Sequence, residues 1–385
     1  MNRIASHLKP VPRSGIRDFF EIVSTRDDVI SLGIGEPDFV TPWHIREASI
    51  YALDHGATSY TANLGLLKLR KAISKYVKRS YDTDYSPKDE TIVTVGVSEA
   101  MDLAIRAITN PGDEILYHEP CYVSYAPLIS FAHGVPVPVE TNREDEFRIS
   151  IKNLEEKVTP KTKALIINFP TNPTGAILLR KDLEKITKFA IKHDILVITD
   201  DIYSELTYDA ERCSIASLPG MKERTIFLNG FSKAWAMTGY RIGFACAPAE
   251  LTEAMMKIHQ YTMLCAPVLA QEAAIEALEN GDAEVIRMRR EYNRRRNFIH
   301  GSLNEMGLTC FKPEGAFYAF PYIGDTGLSS KDFAFKLLEE ENVACVPGSA
   351  FGSSGEGHIR CSYATSLEEL KEAMYRIKRF VNKNK

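Results

Sequence analysis

Between residues 90 and 247, short apolar runs rich in β-branched residues alternate with stretches whose apolar positions recur every three or four residues. The runs are 91–95 (TIVTV), 114–118 (EILYH), 135–139 (VPVPV), 163–169 (KALIINF), 195–200 (ILVITD), 225–229 (TIFLN) and 242–247 (IGFACA). Helical spacing separates several of them, as in 98–109 (SEAMDLAIRAIT) and 180–194 (RKDLEKITKFAIKHD). Strand–helix–strand order with fully apolar strands predicts an α/β fold with a mostly parallel sheet covered on both faces. Ligands of such sheets bind beyond the carboxyl ends of the strands, so the residues just after each run are the ones to inspect.

On the N-terminal side the pattern predicts a loose arm, a first helix over 16–25 and a second over 43–55 with Pro42 at its start. Between them, Gly33, Gly35, Pro37 and Pro42 break any regular element and mark a shaped loop. From Leu66 the spacing Leu66, Leu69, Ile73, Val77 is helical. Beyond Ala249 the chain reads as helix for a long way, including a charged helix over 283–306 ended by Gly307. Strands at 315–323 and 358–366, helix-then-strand at 331–352 and a closing helix give the last third α+β character, that of a second, smaller domain.

Composition narrows this picture. A chain of 385 residues exceeds one simple core, so two domains are expected. The balance of 47 basic against 51 acidic residues, net −4, argues against nucleic-acid or acidic-membrane partners, and makes Arg294–Arg296 part of a solvated helix face. No run is long enough for a membrane helix, and residues 1–15 lack the apolar core of a secretory signal. Seven scattered cysteines without a CxxC pair point to free thiols in a reducing cytoplasm, and the histidines form no metal pattern.

The candidate chemistry centres on Lys233, in NGFSKAWAMTGYRIG directly after the run TIFL, with Ser232 beside it and Arg241 eight residues on. An amine there can form a Schiff base with an aldehyde and an arginine can clamp a phosphate; pyridoxal phosphate carries both groups. Val97 and Ser98 open a helix whose free N–H groups suit a phosphate, although Ser98 as an N-cap is the plainer account. Asp200 ends a buried strand, where a carboxylate can keep a pyridine nitrogen protonated, with Tyr203 placed to donate to a ring oxygen; a favourable acid at a helix start fits Asp201 better. Asn172, in the turn NPTG, presents an amide over the sheet edge or merely shapes the turn. Tyr122 can stack on a flat ring or pack in the core. Arg360, inside an apolar strand, needs an anionic partner, either a substrate carboxylate or an internal acid.

Taken together and in order, GEPDF, TSYTANLGLLKLR, VGVSEA, PGDE, NFPTNPTG, DDIY, GFSKAWAMTGYRIG, GAFY, VPGSAFG and IRCSYA resemble the class I, fold type I PLP-dependent aminotransferases of the aspartate and aromatic kind, over nearly the whole chain. The resemblance implies a large PLP-binding domain over 41–282 with a seven-stranded sheet, and a small α+β domain from 283–385 together with part of an N-terminal arm over 1–40. It implies that Lys233 is the Schiff-base lysine and general base, that Asp200 pairs with the pyridinium, and that Tyr203 and Asn172 meet the ring oxygen. It implies that Arg241, Ser232 and the Val97–Ser98 backbone hold the phosphate, and that Arg360, Asn172 and the Gly35 backbone bind the substrate's α-carboxylate. Tyr122 stands where relatives often carry tryptophan. Tyr60 would reach the phosphate of the neighbouring subunit's cofactor, which implies a homodimer. Residues 261–268 (YTMLCAPV) lack the additional arginine of dicarboxylate-specific relatives, which counts against strict aspartate specificity.

The activity so implied is ping-pong transfer of an amino group from an aromatic, aspartate or alanine-like L-amino acid to 2-oxoglutarate. A PLP-dependent β-lyase uses the same fold and residues. A non-catalytic amino-acid sensor would retain the pocket but needs an appended binding segment, for which no chain is left over. A nicotinamide dehydrogenase is excluded because no GxGxxG follows a strand.

Overall fold

A computed structural model describes residues 3–9, 11, 26 and 28–384; the helix expected over 16–25 lies outside the described residues. The strands are β1 (Ile30–Ser31), β2 (Thr91–Thr94), β3 (Glu114–Glu119), β4 (Val135–Glu140), β5 (Thr162–Ile167), β6 (Leu196–Asp200), β7 (Thr225–Gly230), β8 (Gly243–Cys246), β9 (Tyr318–Ala319), β10 (Val343–Ala344), β11 (Val346–Pro347) and β12 (Ile359–Ser362). Seven of them, those expected from the apolar runs, form one sheet in the order β2-β8-β7-β6-β5-β3-β4. Pairing is parallel throughout except that β8 runs antiparallel to both β2 and β7.

Successive residues of a strand point to opposite faces, and the cores follow that period. Ala164 and Ile166 join the cluster beneath helices Gly96–Ile108 and Ala249–Thr262, while Leu165 and Ile167 join the one beneath Arg180–Lys192. Ile198 and Val197 divide the same way. Each buried Ile, Leu or Val side chain among them contributes about 1.5–3 kcal/mol. The β4 edge carries Pro136 and Pro138, residues tolerated where no ladder hydrogen bond is needed.

The C-terminal part holds the antiparallel sheet β11-β12-β9, and β1 pairs in parallel with β10, so the shaped loop after β1 lies beside C-terminal strands. Only two residues of the expected 315–323 strand pair as such, Tyr318 with Ser362 and Ala319 with Cys361. Helix Asp282–Glu305 ends as expected: Gly307 takes φ 83° and Leu308 N–H bonds back to Leu303 O at 3.0 Å. The solvated-face reading of its arginine run holds for Arg294 alone. Arg295 and Arg296 are buried, the first donating to both oxygens of Asp38 at 2.9 Å, the second to Asp209 and Pro313 O. Buried guanidinium groups persist there because each has an acid partner.

Candidate active site

The carboxyl ends of β3, β5, β6 and β7, the start of helix Gly96–Ile108, the loop after β1 and Arg360 on β12 surround one cleft of about 730 Å³. Eleven of the twelve candidate residues line it: Gly35, Val97, Ser98, Tyr122, Asn172, Asp200, Tyr203, Ser232, Lys233, Arg241 and Arg360. Tyr60 does not; it is 83% exposed on the outer surface.

At the cleft floor sits Asp200. Its Oδ1 accepts from Ile202 N–H at 3.2 Å and its Oδ2 from Tyr125 Oη–H at 2.9 Å. Burial raises its pKa to about 6, while the Tyr125 bond, the Ile202 amide and the charge on Lys233 pull the other way. Asn168 holds the backbone beneath it, Nδ2 donating to Asp200 O at 2.7 Å. Asp201 precedes only a three-residue 3-10 turn, Ser204–Leu206, whose first N–H bonds the Asp201 backbone carbonyl and not its carboxylate. It is buried away from the cleft, accepting from Thr199 Oγ1, and burial pushes its pKa up to about 7.

Lys233 reaches across from the loop after β7, its Nζ donating to Gly35 O at 2.6 Å. Burial lowers its pKa to about 8; Arg360 and Arg241 push further down, Glu36 and Asp200 hold it up. An amine so tuned is partly neutral near pH 7, able to act as nucleophile or proton acceptor.

Helix Gly96–Ile108 starts two residues before Ser98, and Ser98 is not its cap. The Glu99 carboxylate instead accepts from Val95 N–H at 2.5 Å, leaving the first-turn N–H groups facing the cleft mouth. Arg241, at φ 51°, folds back over this turn; a Cβ on Gly96 would lie 2.8 Å from its Nη2, and one on Gly243 would lie 2.7 Å from Val97 N. That left-handed arginine costs about 1 kcal/mol and holds a cation over bare backbone donors, the arrangement of an anion cradle.

At the opposite end Arg360 is buried. Its Nη1 donates to Asn172 Oδ1 at 2.9 Å and its Nη2 to Gly33 O, its Nε has no partner, and no carboxylate bonds it among the described residues. Among the described residues, then, Arg360 has no internal acid to make it a structural arginine. Tyr318 lies beneath, its ring centroid 4.5 Å from the guanidinium carbon. Tyr203 Oη and Tyr318 Oη are 2.8 Å apart. Tyr125, Asn168 and Tyr318 were not among the sequence candidates. The second tyrosine of EPCYVSY and the last residue of GAFY were their only local signals.

Among the described residues no group of His, Cys, Asp or Glu is arranged to hold a metal ion, and no helix is long and apolar enough to cross a membrane.

The sequence profile described as "Aminotransferase class I and II" matches residues 27–377. The aromatic-amino-acid aminotransferase 2 of Thermococcus litoralis is 48% identical over 99% of both chains. The aspartate aminotransferase of Pyrococcus abyssi is 49% identical, again over 99% of both. Among solved structures, the aromatic aminotransferase from Pyrococcus horikoshii OT3 superposes with a TM-score of 0.91 at 50% identity, covering 96% of this chain and 99% of that one.

Proposed function

We propose, from the premise that this chain belongs to the class I and II aminotransferases, that it moves an amino group between an L-amino acid and 2-oxoglutarate with pyridoxal phosphate as cofactor. The observation that carries this reading is one cleft holding an amine of lowered basicity between a buried carboxylate and a buried guanidinium that has no acid partner among the described residues.

The residues present fit that cofactor. The bare backbone at Gly96, with Arg241, Ser98 and Ser232, offers N–H, hydroxyl and cationic donors for its phosphate. Asp200 offers an anion for its pyridine nitrogen, Tyr203 and Asn172 donors for its phenolic oxygen, Tyr122 a ring face, and Lys233 an amine for its aldehyde. When bound, this group supplies a protonated ring that withdraws electrons from the substrate's α-carbon. Asp200 keeps that ring protonated by remaining ionised. Arg360 and Asn172 grip the substrate's α-carboxylate, the Arg360 Nε being a donor still to be satisfied. Lys233 Nζ accepts the α-proton and returns it later in the cycle.

The relatives at 48% and 49% identity carry aromatic and aspartate names, so identity alone does not choose the donor. Among the described residues Lys233, Arg241 and Arg360 are the cations lining the cleft, which favours donors without a second carboxylate. Tyr60, Tyr51, Tyr261 and Trp43 are exposed aromatic side chains; in this reading a partner subunit covers Tyr60, which then reaches the partner's phosphate site. The seven free thiols suit a reducing cytoplasm. In this reading residues 41–282 are the cofactor-binding domain, and 283–385 with part of 1–40 the smaller one. The test is a panel of amino donors with 2-oxoglutarate, assaying glutamate alongside ammonia and pyruvate. Glutamate formation supports transamination; ammonia without glutamate would replace it with a β-lyase.

A further inference from the structure

We infer that Tyr318 is a positioning residue that sets the proton direction of Tyr203 and backs the guanidinium of Arg360, tying the cofactor end of the cleft to the substrate end. The inference rests on the cofactor reading above and adds a residue to it.

Two observations carry it. The first is the hydroxyl pair. Tyr203 Oη and Tyr318 Oη lie 2.8 Å apart, both rings are buried, and their hydroxyls bond only each other among the described residues. A hydroxyl has one proton to give. If Tyr203 spent its proton on Tyr318, it could only accept from a ligand oxygen in the cleft. With Tyr318 as donor, the Tyr203 proton is free to point into the cleft, where a phenolic oxygen needs it. Either hydroxyl can donate in the pair as it stands; once a ligand oxygen takes the Tyr203 proton, Tyr318 is the neighbour that donates to Tyr203 in turn, and the chain of two hydroxyls strengthens the bond to the ligand.

The second is the ring. Arg360 lies over the Tyr318 face with 4.5 Å between guanidinium carbon and centroid, and no carboxylate among the described residues neutralises it. Cation–π attraction in a desolvated site supplies part of what an acid would otherwise give, while leaving the outer N–H groups free for a substrate anion. The neighbouring loop is shaped to admit this tyrosine: a Cβ on Gly35 would lie 2.9 Å from Tyr318 Oη and 3.7 Å from both terminal nitrogens of Arg360. Hydroxyl and ring thus do separable things, which allows two variants to divide them.

The experiment compares Tyr318→Phe and Tyr318→Leu with the wild-type holoenzyme. It measures pyridoxal phosphate affinity of the apoprotein, the pH titration of the visible absorption band, and steady-state kinetics with the fastest amino donor. Tyr318→Phe keeps the ring and loses the hydroxyl. Its band pKa should move up by about half a unit or more, because a ring oxygen less well hydrogen-bonded is more basic. Its kcat should fall about tenfold while the donor KM stays within about twofold. Tyr318→Leu loses both, and its donor KM should rise about tenfold in addition. A Tyr318→Phe enzyme with the wild-type band pKa and kcat overturns the hydroxyl role, and a Tyr318→Leu enzyme with unchanged KM overturns the ring role. A wild-type protein that acquires no visible band with pyridoxal phosphate, and whose Lys233 escapes borohydride trapping, overturns the cofactor reading and this inference with it.

Discussion

Arg360 donates to Asn172 Oδ1 at 2.9 Å, a neutral amide in the place where a buried guanidinium ordinarily finds a carboxylate. The pairing satisfies one nitrogen without cancelling the charge, so the cleft presents a desolvated cation to whatever enters. It also brings Asn172 and Arg360, 188 residues apart in the chain, to the same end of the cleft.

If Arg360 grips the substrate as proposed, replacing it removes that grip and strands no acid among the described residues. Arg360→Ala should lower kcat/KM by on the order of 3–5 kcal/mol, chiefly by raising the donor KM, while the protein still folds. Steady-state kinetics checks this; an unchanged KM would mean the arginine holds the fold and not the ligand.

Lys233→Ala should abolish turnover with folding retained, since among the described residues Lys233 Nζ donates only to Gly35 O. Subunit mixing then asks about Tyr60. Combining Lys233→Ala with Tyr60→Ala chains creates hybrid dimers with one intact site, so activity should recover towards about a quarter of wild type if Tyr60 serves the partner. No recovery on mixing would keep Tyr60 out of the neighbouring site.

The Tyr125 hydrogen bond opposes the burial that raises Asp200 to about 6. Tyr125→Phe should raise it further, leaving less carboxylate to meet a pyridinium at mildly acid pH. Pyridoxal phosphate affinity of the apoprotein should weaken up to about tenfold at pH 6 and much less at pH 8. An equal loss at both pH values would show that Tyr125 acts through packing.

Asp201 gives a stability prediction separate from catalysis. Its folded pKa, about 7, lies above the ordinary 3.8, so the folded state binds the extra proton between those values. Stability from this group is complete below about pH 4 and is lost as pH rises through 7. Asp201→Asn, neutral throughout, should raise Tm at pH 8 and give no advantage at pH 4, as calorimetry at both values would show. A gain of equal size at both would assign the effect to something other than ionisation.

Much of the site was legible because its residues follow strand ends, and strand ends can be read from apolar runs: Asp200 closes ILVITD and Lys233 follows TIFLNG. Strand direction was not, since an apolar run reads the same either way, and β8 proved antiparallel. Tyr125 and Tyr318 escaped notice because their partners lie 75 and 115 residues away, and no local spacing encodes a contact made by folding. The burial of Arg295 and Arg296 was misjudged for the same reason: Asp38 and Asp209, which neutralise them, stand on distant loops.

Edge strand β4 deserves a last consequence. Pro136 and Pro138 are two apart, so their nitrogens, which carry no N–H, fall on the same side of β4, the one away from β3 where β4 has no further neighbour among the described residues. That margin lacks amide hydrogens at two successive outward positions and cannot template an eighth strand from another molecule. A second molecule therefore finds no run of free amides along this border on which to extend the sheet.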